Sequence, residues 1–134
     1  MVDLDLLRLC IEYLDLRERR RPKDDRRLAG LHRLFAEPVP APGERTKRQH
    51  SRVEIEIPVE LIVPSGRIAA RILEIGGGGM RLRLERGLSH IPKAIVLAKD
   101  DERGFTYKFP CEVAWSRGKL AGLRFVGVAI RTPL

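Results

Sequence analysis

Two arginines four residues apart, Arg48 and Arg52, stand just before a stretch that alternates carboxylates with branched aliphatics. A guanidinium is a planar, permanently charged fork. It grips a phosphate with two parallel hydrogen bonds, pairs with the O6 and N7 edge of guanine, or stacks on a purine face. A four-residue step spans at most about 14 Å, so the pair is able to embrace a compact nucleotide of two phosphates and two bases. The alternative for this segment alone is a solvated basic linker. A second stretch, "LEIGGGGMRL", carries glycine at each position from 76 to 79. Consecutive glycines are entropically costly to order and bring no side-chain packing. Close backbone approach by a ligand explains them, with Glu74 at the strand end accepting hydrogen bonds from a guanine edge or holding an arginine fork. A mobile hairpin loop with Gly79 at positive φ is the competing explanation.

Other chemistry is poorly served. His32, His50 and His90 are scattered, and Cys10 and Cys111 lie far apart with no neighbouring Cys or His at ligand spacing. Neither a zinc site nor a disulfide framework is indicated, and buried thiols are the expectation. His50 and Ser51 are adjacent, but neighbours in an extended segment point in opposite directions, which is poor geometry for proton transfer. No nucleophile, base and orienter come together, so the chain reads as a non-enzyme without a cofactor.

The chain has 134 residues, a net charge of +8 and 43% hydrophobic residues. That length fits one domain with an appendage. The charge favours an anionic partner without identifying it. No apolar run reaches the roughly 20 residues that cross a bilayer, and the acidic start "MVDLDLLRLC" lacks the positive region of a secretory signal. A cytoplasmic protein without membrane insertion is expected.

Leu4, Leu7, Ile11 and Leu14 repeat at helical steps, predicting a helix from residue 3 to about 21, with Asp3 and Asp5 at the positive end of its dipole and arginines at the other. Pro22 stops it. A second helix, capped by Asp24 or Asp25, carries Leu28, Leu31, Leu34 and Phe35 and closes a helical hairpin over residues 1–36. Two short amphipathic helices cannot bury their stripes alone. Packing on the same chain and homodimerisation through these helices stand as equal alternatives. Prolines at 38, 40 and 42 make residues 37–44 a stiff linker.

Residues 45–134 then change to a period of two. Val53, Ile55, Ile57, Val59, Leu61 and Val63 face one way, with Pro58 implying an edge or a bulge. Five more strands follow: residues 67–75, 80–85 and 94–99, one bearing Phe105 to Trp115 on alternate positions, and one with Leu123 and Phe125. Six short strands predict a mainly β fold, a small antiparallel barrel that closes its own edges.

The ordered set Arg48-Gln-His-Ser-Arg52, then "PVEL" at Pro58–Leu61, then Glu74-Ile-Gly76-Gly-Gly-Gly79, then "CEVAWSRGKLAGLRF", resembles the PilZ domain over residues 45–127. Its signature is R-x-x-x-R before the first strand and D/N-x-S/T-x-x-G at a later hairpin. The resemblance implies a six-stranded antiparallel PilZ-type barrel that binds cyclic di-GMP and passes the event to an effector protein in bacterial signalling such as motility control. Carried over, Arg48 and Arg52 bind guanine and phosphate, Lys47 adds charge, and Glu74, Gly76 and Gly79 take the hairpin positions. Trp115 falls where some members place an aromatic near a guanine; a core or rim tryptophan is the plainer reading. Two departures stand out: Glu74 is longer than the usual Asp or Asn, and Gly76 lacks the usual hydroxyl. A degenerate adaptor that no longer binds nucleotide is the alternative. Nucleic-acid binding by Arg67, Arg71, Arg81 and Arg83 on the second and third strands is the weaker rival, because only 5% of residues are aromatic.

Overall fold

The structure, a computed structural model, describes residues 3–19, 21–35, 53–88 and 91–134. Helix α1 (Asp3–Arg19) leads through a short 3-10 turn, Pro22–Asp24, into α2 (Asp25–Phe35). Seven strands follow: β1 (Val53–Val63), β2 (Gly66–Ile75), β3 (Gly79–Leu84), β4 (Lys93–Asp100), β5 (Phe105–Arg117), β6 (Leu120–Phe125) and β7 (Ile130–Pro133). The prolines of the expected linker at residues 37–44 lie outside the described residues.

The sheet runs β4-β1-β2-β3-β6-β5-β7, and an additional β4–β5 pairing closes the first six strands into an antiparallel barrel. That matches the mainly β expectation. The cause is the alternation: Ile57, Val59, Leu61, Ile68, Ala70, Ile72, Met80, Leu82, Leu84, Val96, Phe109 and Leu123 are all buried on the inner face. β7 was not expected. It adds to β5 beside β6, pairing Ile130–Pro133 with Phe105–Lys108, and its four largely exposed residues carry no alternation to announce a strand.

Pro58 sits where β1 can tolerate it. β4 reaches only Glu60, Leu61 and Ile62 of that strand, and the β1–β2 register slips between Glu54 and Ile57. Pro58 therefore occupies a local edge next to a bulge, as a residue without an N–H requires.

The helices spend their apolar stripes on the barrel. Leu7, Cys10, Ile11, Tyr13, Leu14, Leu31 and Phe35 are buried and belong to the same cluster as the barrel interior. Leu4, Leu28 and Leu34 pack on it only partly. Helix to helix, Arg27 clasps Glu12 with two hydrogen bonds of 2.6 and 2.8 Å, and the Tyr13 hydroxyl shares one of 2.9 Å with His32 Nδ1. Arg17 lies over the Tyr13 ring at 5.1 Å.

One ionic anchor pins α1 to the barrel. Arg8 donates from Nε and Nη2 to the two oxygens of Asp100, each at 2.8 Å, and from Nη1 to Asp5 at 2.8 Å. The Asp100 side chain is fully buried and also accepts from the Tyr107 hydroxyl at 2.6 Å and the Arg103 backbone N–H at 3.1 Å. These hydrogen bonds, Arg8's foremost, outweigh burial and hold the Asp100 carboxyl well below the usual carboxylate range. The same pairing raises the Arg8 guanidinium against its own desolvation.

Candidate functional site

β2 ends on Glu74 and Ile75, β3 begins on Gly79, and the glycine hairpin between them is tightly held. Gly76 N–H donates to the Gly79 carbonyl and Phe125 N–H to the Gly78 carbonyl, both at 2.9 Å. Gly79 backs onto the Leu123 carbonyl of β6 so closely that a Cβ would overlap it. Its φ is not among the positive ones, so close approach accounts for it. The mobile-loop alternative does not describe this hairpin, because Gly76, Gly77 and Gly79 are all buried.

What covers the hairpin is the protein's own helical pair. Gly77 N–H donates to the Phe35 carbonyl at the end of α2, and the Cys10 thiol of α1 lies 3.9 Å from the Gly76 carbonyl. A Cβ on Gly77 would collide with that Phe35 oxygen and stand 2.7 Å from the Tyr13 ring. Phe35 and Cys10 have no solvent exposure. Burial pushes the Cys10 thiol far up, and in the barrel it raises the Cys111 thiol to about 12.

Glu74 is only 2% exposed, and its carboxylate meets Arg81 Nη2 on β3 at 2.7 Å. The Arg81 Nε is buried with no hydrogen-bond partner among the described residues. Register extends this pair into a row across four strands. Glu74 stands opposite Arg81, Arg81 opposite Gly122, and Gly122 opposite Trp115. The row lies on the outer wall, and its ends are three strand spacings apart, or about 14 Å. The Trp115 indole covers Gly122, where any Cβ would strike its ring. Trp115 is thus a half-buried outer-wall residue in line with Glu74, not part of the barrel interior.

Lys47, Arg48 and Arg52 lie outside the described residues. The strand they lead into is described: Val53 pairs with Ile75 and Glu54 with Glu74. Strand β1 therefore begins alongside the last residues of β2, next to the glycine hairpin. Of the predicted basic face, Arg81 is bound to Glu74 and Arg67 lies 3.4 Å from Glu60. Arg71 and Arg83 stand directly opposite each other.

The sequence reading missed the partners of the hairpin, Cys10, Tyr13 and Phe35, and the anchor Arg8–Asp100. Their burial comes from docking of distant segments. The one local hint is that four glycines in a row ask for some close neighbour.

A closed six-stranded antiparallel barrel with an added edge strand, carrying Glu74, Gly76 and Gly79 at a hairpin beside the start of β1, defines a small β-barrel module. The model of the PilZ domain family matches residues 46–133, more than half of the chain, and the protein belongs to that family. No match was found among curated proteins. No helix among the described residues is long and apolar enough to cross a membrane.

Proposed function

We propose that this PilZ protein is a non-enzymatic, cytoplasmic receptor for cyclic di-GMP that relays nucleotide binding to an effector protein. In this reading Arg48 and Arg52 grip guanine and phosphate groups, Lys47 adds charge, and the nucleotide spans Glu74, Gly76 and Gly79 towards Trp115. The observation that carries it is the β1–β2 register. By pairing Val53 with Ile75 and Glu54 with Glu74, it starts β1, the strand that directly follows the R-x-x-x-R segment in sequence, beside the hairpin that holds the other half of the signature. The row from Glu74 to Trp115 supports it further, aligning the Glu74–Arg81 ion pair and an indole across neighbouring strands. Motility is among the outputs the family suggests. A homodimer through the helices would have to use their outer faces, since the apolar stripes are spent within the chain. Calorimetric titration with cyclic di-GMP should show saturable binding that Arg48→Ala or Arg52→Ala abolishes. Titrations without heat at high nucleotide concentration refute the reading.

A second reading has its own observations. Gly76 lacks the hydroxyl of the family pattern, a loss of about 1 kcal/mol per neutral hydrogen bond, and Glu74 is already engaged by Arg81. Both favour a degenerate adaptor that recognises a protein without nucleotide. It predicts no binding in the parent and binding created by Glu74→Asp with Gly76→Ser.

A further inference from the structure

In the docked arrangement, the backbone groups a ligand would use at the glycine hairpin are taken by the protein itself. Phe35 holds the Gly77 N–H, Cys10 reaches the Gly76 carbonyl, and Gly76 bonds to Gly79. Glu74 is 2% exposed and ion-paired. A nucleotide cannot reach the Gly76 carbonyl or Gly77 while Cys10 lies on the first and Tyr13 and Phe35 cover the second. The cover comes from a different part of the chain than the barrel strands, the helices α1 and α2. It belongs to a separate helical hairpin, and the only side-chain ion pairs that tie α1 to the strands among the described residues are those of Arg8 with Asp100 and the longer Arg131–Asp15 contact of 3.8 Å.

We propose that α1 and α2 form an inhibitory cap seated on the glycine hairpin, so that docking of the helices and nucleotide contact with that hairpin exclude each other. The inference rests on the receptor reading and adds its regulation. By linkage, whatever loosens the cap tightens nucleotide binding, and nucleotide in turn releases the helices by the same factor. The apparent dissociation constant is the intrinsic one divided by the fraction of uncapped protein. The released helices would expose the Phe35 and Tyr13 face, an apolar surface suited to an effector protein.

Cys10 supplies a readout that needs no assumption about where the nucleotide sits. It is fully buried between α1 and the hairpin, and a buried, neutral thiol is inert to alkylation until it opens to solvent. The test uses the full chain carrying Cys111→Ala, so that Cys10 is its one thiol. Iodoacetamide labelling is followed with and without cyclic di-GMP, and affinities are measured calorimetrically for this parent and for Gly77→Ala and Arg8→Met. Gly77→Ala forces the cap off by collision. Arg8→Met loosens it from a position whose contacts run to β4 and β5, away from the hairpin.

Saturating nucleotide should accelerate Cys10 labelling, and Arg8→Met should bind about five-fold or more tightly than the parent, within the usual range of coupling between sites. Binding by the released variants alone supports a strongly closed cap. Labelling that is unchanged or slowed at saturation, or an Arg8→Met affinity no higher than the parent's, overturns the cap and leaves the receptor standing. Absence of binding in all three chains overturns the receptor reading, and the inhibitory role with it. Should Gly77→Ala fail to fold, Arg8→Met decides the matter.

Discussion

Replacing Arg8 by Met removes a fork that makes two hydrogen bonds of 2.8 Å to a carboxylate with no solvent exposure. Methionine keeps most of the aliphatic bulk, so the loss is mainly electrostatic. Breaking a buried pair by deleting one partner costs about 3–5 kcal/mol, because the remaining charge is stranded. Asp100 is not wholly stranded, since the Tyr107 hydroxyl at 2.6 Å and the Arg103 N–H at 3.1 Å still reach it. The cost should therefore fall at the low end, about 3 kcal/mol. For a chain of this length, an unfolding entropy of about 2 cal/mol/K per residue converts that into a fall in melting temperature of about 10 °C. Circular dichroism melts of the parent, Arg8→Met, Asp100→Asn and the double variant form a cycle. The double variant should lose clearly less than the two single losses summed, with a coupling of 1 kcal/mol or more. Simple additivity, or a shift of only 2 or 3 °C for Arg8→Met, would show that the anchor is ornamental and that α1 is held by its apolar stripe alone.

Two further outcomes follow from the same geometry. Because Asp100 is held below the ordinary carboxylate value, mainly by Arg8, its contribution is complete above about pH 4 and is lost as the pH falls towards and through its lowered value. The gap in melting temperature between parent and Arg8→Met should accordingly shrink below about pH 4; a gap constant from pH 7 to pH 2 contradicts the assignment. Gly122→Ala should lift the Trp115 indole off β6, since its Cβ would occupy the space of the ring. Trp115, the one tryptophan of the chain, should then show red-shifted emission and stability should drop by about 1–3 kcal/mol; an unmoved spectrum removes the indole from that position.

The strands of the barrel were readable because a residue every second position had to be apolar, and Val59, Leu61, Ile68, Ile72, Leu82 and Leu123 obey that rule. β7 was not readable, since Ile130 points to solvent and Pro133 gives no strand signal. Bulges between Ile72 and Glu74 and between Val113 and Trp115 shift the register. Counting by twos placed Trp115 with Phe109 on an inner face, whereas the bulge turns it outward into line with Glu74. The four glycines correctly announced a close neighbour, but no local pattern could tell a bound ligand from Phe35 and Tyr13, which arrive from some forty and sixty residues upstream. Glu74 was placed at the strand end as expected, while its engagement by Arg81 depends on a cross-strand register that only folding reveals.

β5 changes partners along one of its edges, with β7 alongside up to Lys108 and β6 from Cys111 onward. Pro110 stands at that seam, and its carbonyl accepts the Val126 N–H at 2.8 Å. In an extended strand the N–H and C=O of one residue point to the same side, so any other residue here would aim a donor into the gap between two neighbours. Proline has none to strand. Two strands of separate origin, β6 and β7, can consequently share one edge of β5 with no β5 amide stranded where they meet, and β7 widens the wall without interrupting the closed ring of six.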